Sequence, residues 1–304
     1  MPRGFCNRTG LAAFFVIEVR VVIEVIEIKE VIDVIEIREV IEVIDIIMDI
    51  LFTLRHLIKA GHRNGHGVHS PNIFQFYEQA IFSKEEFDYS NAEESLKLFK
   101  QSKEVINVTS AGAKGDGAKH PRKVADIAKS SSSYGKYGRL LQRIAHYLHP
   151  DHILELGTSL GIGTIYMASG SPLSLVTTVE ACPETSKTAE RNFKRIGIDN
   201  IIPKVGNFDD IIGDLITPGR FGLIYVDGNH TYEATLRYYD IINKAAQGGD
   251  CVAIFDDINW SRGMSKAWDE ICKRPDTIVA IETMRMGIVF FNKKLTQKTY
   301  CTRF

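Results

Sequence analysis

The sequence predicts an α/β protein: a doubly wound, Rossmann-like, mostly parallel sheet with one antiparallel strand near the C-terminus, preceded by a helical N-terminal region. Three observations predict it. From residue 150, short apolar runs alternate with helix-length stretches, the pattern of parallel strands joined by helices that cover both faces. Residues 153–164, ILELGTSLGIGT, run from an apolar strand through glycines into a helix. DTIVAIE and MGIVFFNKK lie too close together for a helix between them, so they form a hairpin with one strand antiparallel to the rest.

Residues 1–50 read as an N-terminal extension. Within it, 22–48 repeat a nine-residue unit, VIEVIEIKE, VIDVIEIRE, VIEVIDIIM. Triplets ending mostly in Glu or Asp match neither the strand period of two nor the helix period of 3.6. β-branched residues favour a strand, the length favours a helix, and a helix is expected. The segment reads either as a partner-binding or coiled stretch or, the favoured reading, as a translated tandem DNA repeat ahead of the folded domain, because its local pattern agrees with no regular element. Met48, just past the repeat, is an alternative start. The opening MPRGFCNRTGLAAFFVIEV resembles a signal peptide only weakly, since its short apolar core is followed by Glu18 and Arg20.

Residues 51–135 read as a helical, loop-rich region on the lid or substrate side, with helical spacing in LFTLRHLIKA and NIFQFYEQAIF. His62, His66 and His69 have spacings open to a metal, but their glycine- and proline-broken context favours a turn. AGAKGDGAKHP lacks GK[ST] and is not a phosphate-binding P-loop. The serines before YGKYGRLLQRIAHYL are available to cap a strong helix. The domain from 136 to 304 then follows as strands HILEL, LVTTVE, IIPKV, FGLIYVD and CVAIFDD, each trailed by a helix.

The 304 residues carry 37 basic and 38 acidic side chains, a balance that makes no electrostatic case for nucleic acid or an anionic membrane. No apolar run of about 18 residues predicts a membrane span. The five cysteines are scattered and form no CxxC, so a reduced, cytoplasmic setting is expected. A homo-oligomer stays open.

In doubly wound sheets ligands sit beyond the carboxyl ends of the strands. At the 153–164 bend the spacing is G-x-x-x-G-x-G, from Gly157 to Gly161 and Gly163, with Thr158 and Ser159 inside it. A dinucleotide fingerprint would need G-x-G-x-x-G. Glu155 is a poor neighbour for a pyrophosphate and a good one for an ammonium or a sulfonium; S-adenosylmethionine has both. Glu180 closes the next strand, 23 residues after Gly157, where a carboxylate can accept both ribose hydroxyls. Asn207 and Phe208 follow the third strand and offer an amide for an adenine edge and a ring for its face.

Asp227 ends FGLIYVD, and Asp256 and Asp257 end CVAIFDD. Three clustered carboxylates repel unless a cation joins them. An oxygen-only set suits Mg²⁺; the alternative is that these residues cap helices and shape turns.

ELGTSLGIGT, TTVE, KVGNFDD, IYVDGNHTYE and IFDDINW resemble class I S-adenosylmethionine-dependent methyltransferases, in the O-methyltransferase branch of the macrocin-type sugar enzymes and, more distantly, catechol O-methyltransferase. The resemblance covers about residues 55–304. It implies S-adenosylmethionine held by Glu155, Gly157, Thr158, Ser159, Gly161, Gly163, Glu180, Asn207, Phe208 and Asp227, and Mg²⁺ held by Asp227, Asp256 and Asp257. It also implies methylation of a small-molecule hydroxyl. Those relatives carry an acid two residues after the first aspartate as general base; this chain has Asn229, and the adjacent His230 is the replacement. Trp260, Tyr232 and Phe208 are candidates to line the pocket. The rival readings are a non-catalytic S-adenosylmethionine-binding module and a nicotinamide-dependent oxidoreductase.

Overall fold

The computed structural model describes residues 53–54, 56–57, 60–61, 67–109, 118–130, 135–246 and 249–304. The repeat at 22–48, Met48, His62, His66 and the serines at 131–133 lie outside them. The chain divides into two compact units, Met1–Arg55 and His56–Phe304, and every element named here belongs to the second.

Helix α1 (Pro71–Phe76) begins with a proline, whose missing N–H costs nothing at a first turn, and runs on into a π turn at Tyr77–Ile81. Helix α2 (Ser90–Gln101), an antiparallel ribbon of β1 (Val105–Thr109) and β2 (Lys119–Lys123), helix α3 (Val124–Ser130) and helix α4 (Gly135–Leu148) follow. The alternation then proceeds as β3 (His152–Leu156), α5 (Ile162–Gly170), β4 (Leu175–Glu180), α6 (Pro183–Ile196), β5 (Ile201–Val205) and α7 (Phe208–Leu215). It continues as β6 (Leu223–Val226), α8 (Tyr232–Ala246), β7 (Val252–Phe255), α9 (Arg262–Ile271), β8 (Val279–Glu282), β9 (Gly287–Phe290) and β10 (Lys298–Cys301).

The last eight strands form one sheet in the order β10-β8-β9-β7-β6-β3-β4-β5. Only β9 runs against its neighbours β7 and β8, as the hairpin predicts. Strand β3 has β4 on one side and β6 on the other, so the order reverses there and opens a crevice at the carboxyl ends. Register aligns those ends: Leu156 pairs with Val226, and Val226 with Phe255. Gly157, Asp227 and Asp256 therefore leave the sheet at one level.

Successive strand residues feed two separate cores. Ile153, Tyr225 and Ile254 pack with residues of α1 to α6, while Leu154, Ile224 and Ala253 pack with α7 to α9. Burial on both faces explains the unbroken apolar runs. Each fully buried Leu or Ile contributes roughly 1.5–3 kcal/mol, and a charge at Leu154, 0% exposed, would break the second layer.

The sequence reading missed β1, β2 and β10. β2 is KHPRK, exposed throughout and interrupted by Pro121, and β10 is the short edge strand KTYC. Neither has the apolar run that marks a central strand. Among the described residues no helix is long and apolar enough to cross a membrane.

Candidate active site

The turn after β3 is built by close approach. Gly157 has φ +115°, and a Cβ there would lie 1.9 Å from the Asp227 carbonyl oxygen, so only glycine fits. The Gly157 and Thr158 N–H groups donate to the Val179 carbonyl at 3.0 and 3.1 Å, tying the turn to β4. Ser159 sits in the left-handed region at φ +47°. A Cβ on Gly161 would come within 2.4 Å of the Phe193 ring, and one on Gly163 within 2.9 Å of Glu155 Oε1. The glycine spacing follows three separate packing contacts.

Glu155 lies under this turn and is 1% exposed. Its Oε2 accepts from Thr178 Oγ1 at 2.6 Å and from Thr164 Oγ1. Burial pushes its carboxyl up to about 7, against the two threonine hydrogen bonds. Glu180 closes β4. Its Oε2 accepts the Ser159 N–H at 2.8 Å and its Oε1 the Cys182 N–H at 2.9 Å. Burial raises Glu180, and the backbone donors oppose that rise. Asn207 is exposed and caps α7, its Oδ1 accepting the Asp209 N–H at 3.2 Å. The half-buried Phe208 ring stands edge-on to Tyr238, 6.3 Å between centroids.

Asp227 and Asp256 share the Tyr225 hydroxyl, which lies 2.7 Å from Asp256 Oδ2 and 3.1 Å from Asp227 Oδ2. Arg285 grips Asp256 by both oxygens, Nε to Oδ1 at 2.8 Å and Nη2 to Oδ2 at 2.6 Å, and its Nε also stands 3.1 Å from Asp257 Oδ1. His230 Nε2 is 3.6 Å from Asp227 Oδ1 and 3.9 Å from Asp257 Oδ2. Burial first, then the charge of Asp256, holds Asp227 well above the ordinary carboxylate range and raises Asp257 as well; Arg285 opposes both shifts. Arg285 itself is held above its ordinary range, because the Asp256 and Asp257 charges outweigh its burial.

A family profile described as a methyltransferase domain matches residues 154–258. The matched segment is therefore a methyltransferase domain. A catechol O-methyltransferase of Niastella koreensis is 32% identical over 96 residues, 30% of this chain and 43% of that protein. The chain thus spans less than half the length of that relative. A catechol O-methyltransferase of Mycobacterium tuberculosis is 28% identical over 181 residues, 59% of this chain and 75% of its own length. Among solved structures, a Corynebacterium glutamicum protein shares the fold at a TM-score of 0.50 and 12% identity, covering 73% of this chain and 98% of its own. A Bacillus cereus O-methyltransferase in complex with SAH aligns at a TM-score of 0.48 and 19% identity, over 72% of this chain and 97% of its own.

In this methyltransferase domain the structure gathers Glu155, Gly157, Thr158, Ser159, Glu180 and Asp227 at the reversal of strand order. It does not assemble Asp227, Asp256 and Asp257 as a three-aspartate metal set. Asp256 is turned to the guanidinium of Arg285, so the group that fits beside it is a cation already in the chain. The donors that do converge, all within 4.8 Å of one another, are Asp227, His230 and Asp257. Asn229 adopts φ +52°, and its amide donates to the Tyr238 hydroxyl at 3.0 Å. It shapes the turn that presents His230. Of the suggested pocket aromatics, Trp260 is 73% exposed, and the Tyr232 hydroxyl donates to Glu270 at 2.5 Å.

Sequence reasoning missed Arg285. It lies in the turn between β8 and β9, and its carbonyl accepts the Ile258 N–H at 3.0 Å. The signal was present: an antiparallel strand returning beside β7 must place its turn at the carboxyl edge, and that turn, TMRM, carries one arginine.

Proposed function

We propose that this methyltransferase transfers the methyl group of S-adenosylmethionine to a hydroxyl oxygen of a small molecule. The observation that carries this reading is the row of three carboxyls, Glu180, Glu155 and Asp227, at the carboxyl ends of the adjacent strands β4, β3 and β6 beside the Gly157–Gly163 turn. All three are raised chiefly by burial, a cost that a positively charged ligand relieves. S-adenosylmethionine, when bound, supplies an electrophilic methyl carbon on a sulfonium.

The residues then divide the work. Glu180 retains acceptor capacity beyond its backbone donors and is the group to take ribose hydroxyls. Glu155 and Asp227 provide negative potential under the turn. His230 Nε2 is the acceptor for the proton of the substrate hydroxyl, and Asp227 beside it steadies the imidazolium. Arg285 keeps Asp256 and Asp257 from concentrating negative charge where a substrate oxygen must enter. Segment 51–135 is the proposed source of acceptor choice.

A second reading has a divalent ion at Asp227, His230 and Asp257, favoured by the convergence of those donors; Asp256 takes no part in it. Calorimetry with S-adenosylmethionine and with NADH, followed by labelled-methyl transfer to catechols and sugars with and without Mg²⁺, tests these readings. Glu180→Ala should weaken S-adenosylmethionine by about ten-fold or more, the worth of a lost charge-assisted hydrogen bond. Binding of NADH in place of S-adenosylmethionine would overturn the proposal. Binding without transfer to any acceptor would favour a non-catalytic module. A rate that requires Mg²⁺ would favour the second reading.

A further inference from the structure

Further along the same carboxyl edge of the sheet, where β8 and β10 end beyond β9, three metal-ligating side chains meet. Glu282 ends β8, Cys301 ends β10, and the two residues are register partners on parallel strands. His56 lies over them. His56 Nδ1 is 3.4 Å from Glu282 Oε1 and 3.6 Å from Cys301 Sγ, and Cys301 Sγ is 3.8 Å from Glu282 Oε1. His56 is 3% exposed and Glu282 7%.

These separations match the edges of a zinc tetrahedron. With bonds of about 2.0–2.1 Å to nitrogen, about 2.0–2.2 Å to oxygen and about 2.3 Å to sulfur, tetrahedral geometry puts donor atoms roughly 3.3–3.6 Å apart. The observed triangle is within a few tenths of an ångström of that on every side.

Hydrogen bonding around the cluster points the same way. His56 Nε2 is 3.0 Å from the Thr302 carbonyl, which can only accept, so Nε2 carries a proton. In a neutral ring Nδ1 is then a lone pair facing a carboxylate oxygen. A proton shared among the carboxyl, the Cys301 thiol and the ring can join these atoms, and so can a metal ion. Imidazole whose other nitrogen donates to a backbone carbonyl is the usual outer-shell support of a histidine ligand. Trp268 Nε1 donates to Glu282 Oε2 at 3.3 Å and leaves Oε1 toward the cluster. The Tyr77 hydroxyl bonds Thr302 Oγ1 and anchors the residue that holds His56.

The geometry points to a structural zinc site formed by His56 Nδ1, Glu282 Oε1 and Cys301 Sγ. A thiolate, an imidazole and a carboxylate form a mixed soft and hard set that suits Zn²⁺ over Mg²⁺ or Ca²⁺. Three protein donors leave the fourth position to solvent, and partial exposure of Cys301 gives the ion a way in. The ion would clip His56 to a strand 245 residues away, joining the start of this unit to its end. This inference is independent of the methyl-transfer reading.

The test uses the tag-free full chain. After incubation with Zn²⁺ and exhaustive dialysis, elemental analysis should find one zinc per chain, and zinc should raise the melting temperature. Loading with Co²⁺ should give the near-ultraviolet thiolate-to-cobalt band and the intense visible bands of a tetrahedral centre. Cys301→Ser should abolish the thiolate band and weaken zinc by about a hundred-fold or more, with S-adenosylmethionine affinity unchanged. His56→Gln provides a second variant with the same expected loss. No retained zinc, no cobalt–thiolate band in the wild type, or equal zinc retention by wild type and Cys301→Ser would each overturn the site and leave a hydrogen-bonded cluster of His56, Glu282 and Cys301.

Discussion

Arg285 holds Asp256 by both carboxylate oxygens, with Nε 2.8 Å from Oδ1 and Nη2 2.6 Å from Oδ2. The planar guanidinium matches the carboxylate fork, which a lysine ammonium cannot do. The Asp256 side chain is 0% exposed and that of Arg285 29%, so solvent screens the pair weakly.

Breaking that pair should be costly. Arg285→Gln leaves a buried carboxylate without its guanidinium and should destabilise the protein by about 3 kcal/mol or more, lowering the melting temperature by about 10 °C. Arg285→Lys should recover only part of the loss. In the wild type, with Arg285 in place, methyl transfer should proceed at the same rate whether Mg²⁺ is added or omitted. Thermal melts of the three proteins and initial rates over a Mg²⁺ titration check both statements.

Gly157 should accept no side chain. A Cβ 1.9 Å from the Asp227 carbonyl oxygen, at φ +115°, forces β3 and β6 apart at the crevice. Gly157→Ala should therefore lose S-adenosylmethionine binding even where the far side of the sheet remains folded. Calorimetry beside far-ultraviolet dichroism separates these effects; wild-type affinity would show that the turn is more pliable than its contacts indicate.

Glu155 should make stability depend on pH with a definite sign. Its folded carboxyl is raised from 4.5 to about 7, so between those values the native state binds more protons than the unfolded chain. Stability then falls as pH rises through that window, by roughly 3 kcal/mol at most for this one group. Glu180, Asp227 and Asp257 are raised too and act in the same direction. Glu155→Gln should flatten the slope of melting temperature against pH in that window. A cationic ligand favours the ionised carboxyls, so S-adenosylmethionine binding near neutrality should release protons, seen as a dependence of the calorimetric heat on buffer ionisation.

His230 should matter for turnover more than for affinity. It stands 3.6 Å from Asp227 and 3.9 Å from Asp257, on the turn after β6 rather than in the Gly157–Gly163 turn. His230→Gln should lower kcat by about a hundred-fold or more, the usual worth of a general base, and leave the S-adenosylmethionine dissociation constant within about two-fold, below 0.5 kcal/mol. Undiminished kcat would move the base elsewhere, with Asp227 next to be tested.

Much of this was legible in the chain. Apolar runs such as ILEL and LIYV are buried on both faces, so their composition alone marks central parallel strands. The acids and glycines that end those runs fall at the carboxyl edge because every such strand points the same way. The β1–β2 ribbon and β10 left no comparable mark: at a sheet edge or in an exposed ribbon, pairing comes from backbone hydrogen bonds, which any residue but proline can supply.

Sequence by itself determined the fold class, the crevice beside β3, and the positions of Glu155, Glu180, Asp227, Asp256 and Asp257, since each follows from local periodicity and strand direction. Tertiary structure alone decided which charge meets which. Whether Asp256 faces a metal or a guanidinium depends on a turn that arrives 29 residues later, and the meeting of His56 with Cys301 spans 245 residues. Such pairings rest on side-chain directions within a few ångströms, where Coulomb energy and hydrogen-bond geometry change steeply, and no local pattern in the sequence encodes a separation of that kind.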